Sequence, residues 1–146
     1  MLTTALIVTT VLAFAFAFAA ISVRRIPEGQ VYSVRRLGRA PTLLSAGTHV
    51  VLPVIDRVTH KIDLGGQVLR FEGGTVYWQV LEPEVADEVI DEAPELIRTN
   101  VVAALRDTGT AHQADRRAVG TQLKHAVNGS LRSRGMLVTR VELDAA

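Results

Sequence analysis

The 146-residue chain contains no cysteine. Disulfides, thiolate nucleophiles and zinc sites built on sulfur are thereby excluded, and the compartment stays open, because a cysteine-free chain can live on either side of a membrane. No sign of charge dominates either. Sixteen Lys and Arg against 15 Asp and Glu give a formal net charge of +1, so no global field attracts or repels nucleic acid. The histidines His49, His60, His112 and His125 form no H-E-x-x-H or comparable ligand spacing, which argues against a metal site. There is no G-x-S-x-G. Lys124 and Ser130 stand six positions apart on a predicted helix, where same-face neighbours are three, four or seven apart, so they form no Ser–Lys dyad. The glycine pairs at 65–66 and 73–74 match neither a dinucleotide nor a P-loop pattern and read as turns. No reactive constellation is legible, and neither enzymatic activity nor a cofactor is expected.

What is present begins with the N-terminus. From Leu2 to Val23 no residue is charged and the polar ones are only Thr and Ser. About 20 apolar residues in a helix cross a hydrocarbon core of about 30 Å. Backbone groups in lipid must bond internally, so the segment is expected to be helical, residues 2–23 forming an anchor. The "AFAFAFAA" run, Ala13 to Ala20, alternates like a strand in water, but in a bilayer the helix wins. A cleaved signal peptide is the alternative, since Ala17-Phe18-Ala19 fits a small-x-small cleavage pattern. Against it, no basic residue precedes the run, and the run is long. Arg24 and Arg25 follow directly and no Lys or Arg comes before. The positive-inside rule then gives a single pass of the cell membrane with the soluble part in the cytoplasm.

Beyond the anchor, Pro27-Glu28-Gly29 is a turn, Gln30 to Leu37 a strand, and Gly38 and Gly47 mark further turns. His49 to Leu52 is a short apolar strand stopped by Pro53. Val58, His60, Ile62 and Leu64 alternate with polar residues, the period of a half-buried strand, and Val76, Trp78 and Val80 do the same. Helices follow. Pro83 suits a first helical position, and a short helix runs to about Glu92. A second spans Pro94 to about Asp107 with Leu96, Ile97, Val101 and Leu105 on its buried face. A third runs from about Gln113 to Arg132 with Ala118, Val119, Leu123, Ala126, Val127 and Leu131 as its stripe. Gly120 and Gly129 each weaken that helix by about 1 kcal/mol relative to Ala, and Gly135 is a natural C-terminal cap. Leu137, Thr139, Val141 and Leu143 alternate as a last strand. The order predicts an α+β fold: a transmembrane helix, then a compact domain over 26–144 with helices packed on a mainly antiparallel sheet.

The run "IPEGQVYSVRRLGR", continued by "LLSAGTHVVLPVIDRVTHKIDL", resembles the start of the stomatin/prohibitin (Band 7, SPFH) domain. The matching positions are Pro27 and Gly29, then Val34, Arg36, Gly38 and Arg39, then Gly47, His49, Pro53, Ile55 and Asp56, then Lys61, Asp63 and Leu64. The later half is similar less specifically, through "VYWQVLEPEVA" and "RRAVGTQLKHAVNGSLRSRGMLVTRVEL". Two departures stand out. Between Leu64 and Val76 only "GGQVLRFEGG" replaces about two strands' worth of sequence, and no heptad-patterned helix follows Leu143. The resemblance is to a stomatin-like (slipin) prokaryotic member, shortened. It implies a membrane-bound scaffold without catalytic, cofactor or metal residues. Such a scaffold self-associates, or assembles with longer family members, and organises lipids or regulates membrane partners such as an NfeD-type or AAA+ membrane protease. A shortened paralogue that has lost assembly is a further reading. From a different class comes a secreted or periplasmic binding domain released by signal cleavage.

Two charged regions are candidate surfaces. Arg24, Arg25, Arg35, Arg36 and Arg39 cluster near the anchor, where positive charge close to an anionic leaflet contributes about 1 kcal/mol per residue. Around Pro53, Val50, Val51, Leu52 and Val54 are either shallow membrane contacts or core. An acidic stretch from Glu82 to Glu95, with Glu88, Asp91 and Glu92 at its centre, and a basic stretch with Arg116, Arg117 and Lys124 are candidate contacts between subunits. Pairing the acidic surface of one copy with the basic surface of the next suits a head-to-tail assembly.

Overall fold

The computed structural model describes residues 2–108 and 116–144. The chain is α+β, with an apolar N-terminal helix and antiparallel sheets. Its contacts divide it into two units, Met1–Lys61 and Ile62–Ala146, each described by itself.

The first unit opens with α1 (Leu2–Ser22), 21 residues with no ionisable side chain. At 1.5 Å per residue it is about 32 Å long. Every residue from Leu2 to Ile21 is exposed, so no apolar protein surface accounts for its composition. It passes without a linker into β1 (Val23–Ile26), followed by β2 (Gln30–Arg36), β3 (Thr42–Leu44), β4 (Gly47–Val50) and β5 (Asp56–Asp63), within which the two units divide. β1 pairs antiparallel with β4, Val23 opposite Val50 and Ile26 opposite Gly47. A second sheet has the order β3-β2-β5. The strands are short because turns interrupt them. Gly29 at φ 81° and Gly38 at φ 73° take left-handed conformations that a Cβ disfavours, and the second of these turns is closed by the Arg39 amide donating to the Arg36 carbonyl at 2.9 Å. Ile26, Val31, Val34 and Val51 form the buried apolar set of this unit.

The second unit contains β6 (Gln67–Phe71), β7 (Gly74–Val80), α2 (Pro83–Ala86), α3 (Ala93–Thr108), α4 (Arg116–Leu131), one turn of 3-10 helix (Arg132–Arg134) and β8 (Met136–Leu143). Its sheet has the order β6-β7-β8, antiparallel throughout. The alternation read along β7 holds: Gly74, Val76, Trp78 and Val80 face inward, every second residue. Ile97 and Val101 of α3 and Leu123, Val127 and Leu131 of α4 pack with them in one core. In the stripe predicted for α4, Ala118 and Ala126 are exposed instead. The abbreviated stretch after Leu64 supplies β6, an edge strand.

Three elements differ from the sequence reading. The strand predicted over His49 to Leu52 runs over Gly47–Val50 instead. Helix α2 ends at Ala86 rather than near Glu92, and the chain continues in turns with bonds from Val89 N–H to Ala86 C=O and Glu92 N–H to Val89 C=O. Continued as a helix, the stretch would place Glu84 and Glu88, then Glu88 and Glu92, at i,i+4, where like charges repel. In β8 the predicted alternation over Leu137, Thr139, Val141 and Leu143 holds only at its end: Met136 and Val138 are buried in place of Leu137 and Thr139, while Val141 is buried and Leu143 is half-buried against the core. The ladder with β7 jumps from Trp78–Val138 to Tyr77–Arg140, leaving Thr139 as an extra residue. Such a bulge switches the side-chain parity along the strand. Residues 113–115, predicted to begin the third helix, lie outside the described residues.

Candidate membrane-proximal and assembly surfaces

The first surface surrounds the point where α1 ends. Ser22 is buried, and its carbonyl accepts the Val51 amide at 2.8 Å. That bond and the Val23–Val50 pairing tie the end of β4 to the end of α1. After Val51 the chain turns tightly: the Asp56 amide donates to the Leu52 carbonyl at 2.8 Å, and the Leu52 amide donates back to Asp56 Oδ2 at 3.1 Å. Arg36 completes this corner. Its Nε donates to Asp56 Oδ1 at 2.6 Å and its Nη2 to Oδ2 at 2.9 Å, the planar two-point pairing that guanidinium and carboxylate favour. The Asp56 side chain is 2% exposed while that of Arg36 is 47% exposed. The Arg36 hydrogen bonds first, and the Leu52 amide second, hold the Asp56 carboxyl down at about 2. Asp56 in turn raises the Arg36 guanidinium, chiefly through the same hydrogen bonds.

This corner has a consequence for its neighbours. Leu37, whose amide donates to the Ile55 carbonyl at 3.2 Å, is 85% exposed, Val54 is 79% exposed and Val50 is 66% exposed. Val23 and Ile55 are exposed as well, whereas Val51 is buried. The sequence alternatives for the Pro53 region therefore divide residue by residue: Val51 is core, Val50, Pro53 and Val54 are open, and Leu52 is half-buried. Bonded contacts thus run from Ser22 through Val51, Leu52 and Asp56 to Arg36. Arg24 and Arg25 lie on β1 immediately after the helix, and Arg35 and Arg39 flank Arg36, all four exposed. Lys61 places its ammonium 5.4 Å from the centre of the Tyr32 ring, a cation–π distance. His49 Nε2 lies 2.8 Å from the Ser45 carbonyl oxygen, where it closes the β3–β4 turn. The resemblance positions in this unit are thus occupied by turn glycines and by an ion pair that folds one corner.

The second surface is in the other unit. Arg116, Arg117 and Lys124 lie along one side of α4 and line an open cleft of about 580 Å³, together with Thr75, Thr139 and Arg140. Arg140 is paired with Glu142, and Glu142 also accepts the Tyr77 hydroxyl at 3.1 Å. Glu142, through that hydrogen bond and then its charge, raises the Tyr77 phenol above its ordinary range. Arg116, Arg117 and Lys124 make no ion pair among the described residues. Glu88, Asp91 and Glu92 lie in the turns between α2 and α3, all exposed. Sequence reasoning named both charged groups but missed Arg140 and the threonines, because strand and helix meet there only through the fold. Among the described residues, no group of three or more His, Asp or Glu stands close enough to share a metal ion.

No protein-family model matches the chain. It is similar to uncharacterized proteins of Mycobacterium bovis and of two strains of Mycobacterium tuberculosis, each 28% identical over 151 residues covering 89% of this chain. The chain spans 39% of the length of these relatives.

Proposed function

We propose that this protein is a membrane-anchored scaffold of the stomatin/prohibitin (SPFH) kind, which self-associates and organises lipids or regulates a membrane partner such as a protease. The observation that carries the reading is the continuity of α1 with β1 and β4. A fully exposed apolar helix of membrane-spanning length passes without a linker into a sheet. With α1 in a bilayer, the Val23–Val50 pair lies at the lipid–water boundary, and the exposed Val50, Val54, Ile55 and Leu37 gain an apolar environment there. Arg24, Arg25, Arg35 and Arg39 would then sit at headgroup level, as a single pass with a cytoplasmic soluble part requires. A signal sequence would share the length and composition of α1. The Pro27–Leu64 resemblance adds a second line of support, because Arg36 and the buried Asp56, both on its pattern, form the ion pair of the corner.

The test is the intact mass of the chain recovered from a carbonate-washed membrane fraction, together with its molar mass in mild detergent after subtraction of the micelle. The scaffold reading expects an uncleaved N-terminus and a discrete oligomer. A soluble chain starting near Ala20 would replace it with the released binding domain.

A further inference from the structure

The second unit separates its charge along the axis of β7. At the start of the strand, Thr75 lies opposite Glu142 and lines the basic cleft with Arg116, Arg117 and Lys124. At the other end, Val80 lies opposite Met136, and the amides of Leu81 and Glu82 both donate to the Gly135 carbonyl, at 2.9 and 3.1 Å. Glu82 opens the stretch to Glu95, which holds seven of the chain's 15 carboxylates and no Lys or Arg. From Thr75 to Leu81 a strand advances about 20 Å. Glu88 and Glu92 toward one end of the ladder and Arg116, Arg117 and Lys124 at the other form no ion pair with each other among the described residues. The segregation is incomplete: Glu142 and Asp144 line the basic cleft, and Arg132 and Arg134 follow α4 near the acidic end.

We propose that the cleft is the docking site for the acidic turn of a second copy of this chain, Glu88 and Glu92 of one copy meeting Arg116, Arg117 and Lys124 of the next. The inference rests on the scaffold reading and assigns its contact. One chain cannot close the two surfaces on each other, because the strand between them holds them about 20 Å apart, but a neighbour presents the missing half at equal stoichiometry. Two different patches in contact make a heterologous interface, which propagates into a ring or a row rather than stopping at a two-fold dimer. A phosphate-bearing ligand would also suit the cations, but it gives Glu88 and Glu92 no counter-charge.

The experiment uses the full chain in mild detergent, with molar mass read by light scattering in low salt and in about 1 M salt, where the screening length falls to about 3 Å. Two double variants are compared: Arg116→Glu with Arg117→Glu, and Glu88→Arg with Glu92→Arg. Each alone places like charges at the contact, so each is expected to run smaller than the wild type at low salt. Mixed one to one, they present complementary surfaces again and regain the wild-type mass. A folding defect does not produce that rescue, and circular dichroism melts of each variant check the fold. A wild-type oligomer whose mass ignores both reversals overturns this inference and leaves the scaffold reading standing. Loss of mass in folded variants without rescue on mixing overturns the pairing of these two surfaces. A wild-type monomer at low salt overturns the scaffold reading together with it.

Discussion

The side-chain amide of Asn128 grips the backbone of Val138 from both sides, its Nδ2 donating to the Val138 carbonyl at 2.9 Å and its Oδ1 accepting the Val138 amide at 2.7 Å. Strand β8 is the last in its sheet, so its outer groups have no partner strand. Asn128, carried on α4, supplies the donor and acceptor that a neighbouring strand would offer, and it does so while buried. An open edge is thereby covered where it would otherwise recruit another chain.

Asn128→Ala leaves the Val138 amide and carbonyl buried without partners, a loss of about 2–4 kcal/mol. Asn128→Asp keeps the acceptor but loses the donor and buries a charge, so it is also expected to destabilise. Trp78 is the only tryptophan and sits in the core of the same unit, so its fluorescence during denaturant unfolding reports the change. An Asn128→Asp variant as stable as the wild type would show that the donor is not needed.

The two glycines of α4 are predicted to respond with opposite sign. A Cβ on Gly120 would lie 2.7 Å from the Val141 carbonyl oxygen, whereas one on Gly129 would meet nothing within 4 Å. Gly120→Ala forces helix and strand apart and is expected to cost about 1–3 kcal/mol. Gly129→Ala gains helix propensity, up to about 1 kcal/mol. Melting temperatures of the two single variants, one below and one above the wild type, are the check.

The Arg36–Asp56 corner makes the first unit acid-sensitive. The carboxyl titrates at about 2 in the fold and near 4 when unfolded. A depressed value means that the folded state holds fewer protons, so the stabilisation is complete above about 4 and is lost as pH falls toward about 2. Asp56→Asn is expected to lower stability at neutral pH and to flatten the dependence across that window. Proteolysis of the Leu52–Arg57 turn at graded acidity, wild type against variant, distinguishes them: parallel curves would remove Asp56 as the titrating group.

Val54 is predicted to meet lipid. Because the chain has no cysteine, Val54→Cys carries a single thiol for a spin label. In vesicles the label is expected to relax faster with an oxygen-type, lipid-soluble agent than with a water-soluble nickel chelate, and to reverse that order at Thr59→Cys, an exposed strand position. A Val54 label that prefers the aqueous agent would place this turn in water.

The Tyr77 phenol is raised by the Glu142 carboxylate that accepts its hydrogen bond. In a Tyr32→Phe background, which leaves one tyrosine of the two, the phenolate absorbance is expected to rise at higher pH than for a free tyrosine, whose value is about 10. Because the folded value is raised, the hydrogen bond stabilises fully below about pH 10 and is lost as pH climbs through the folded value. Glu142→Gln is expected to bring the midpoint back down.

How much of this was legible beforehand depends on the range of each interaction. α1, the inward face of β7, the turns at Gly29 and Gly38 and the core residues of α3 were readable, because composition, period and backbone freedom act over a few residues. The coarse α+β order followed from the same signals. The end of α2 at Ala86 lies where the chain passes into successive turns, which an apolar-periodicity reading does not register. Arg36 and Asp56 were singled out by resemblance as separate positions, 20 residues apart, and only the turn at Val51–Ile55 made them partners. Asn128 carried no signal: an asparagine in a helix becomes a strand substitute only if β8 arrives beside it. The burial of Met136 and Val138 in place of Leu137 and Thr139 depended on a bulge against β7, a matter of register between segments that are far apart in the chain. Sequence alone thus determined which stretches are helix, strand and turn and where apolar surface must be hidden. Tertiary structure decided which backbone groups and charges face one another, because register and packing are set by all the elements together.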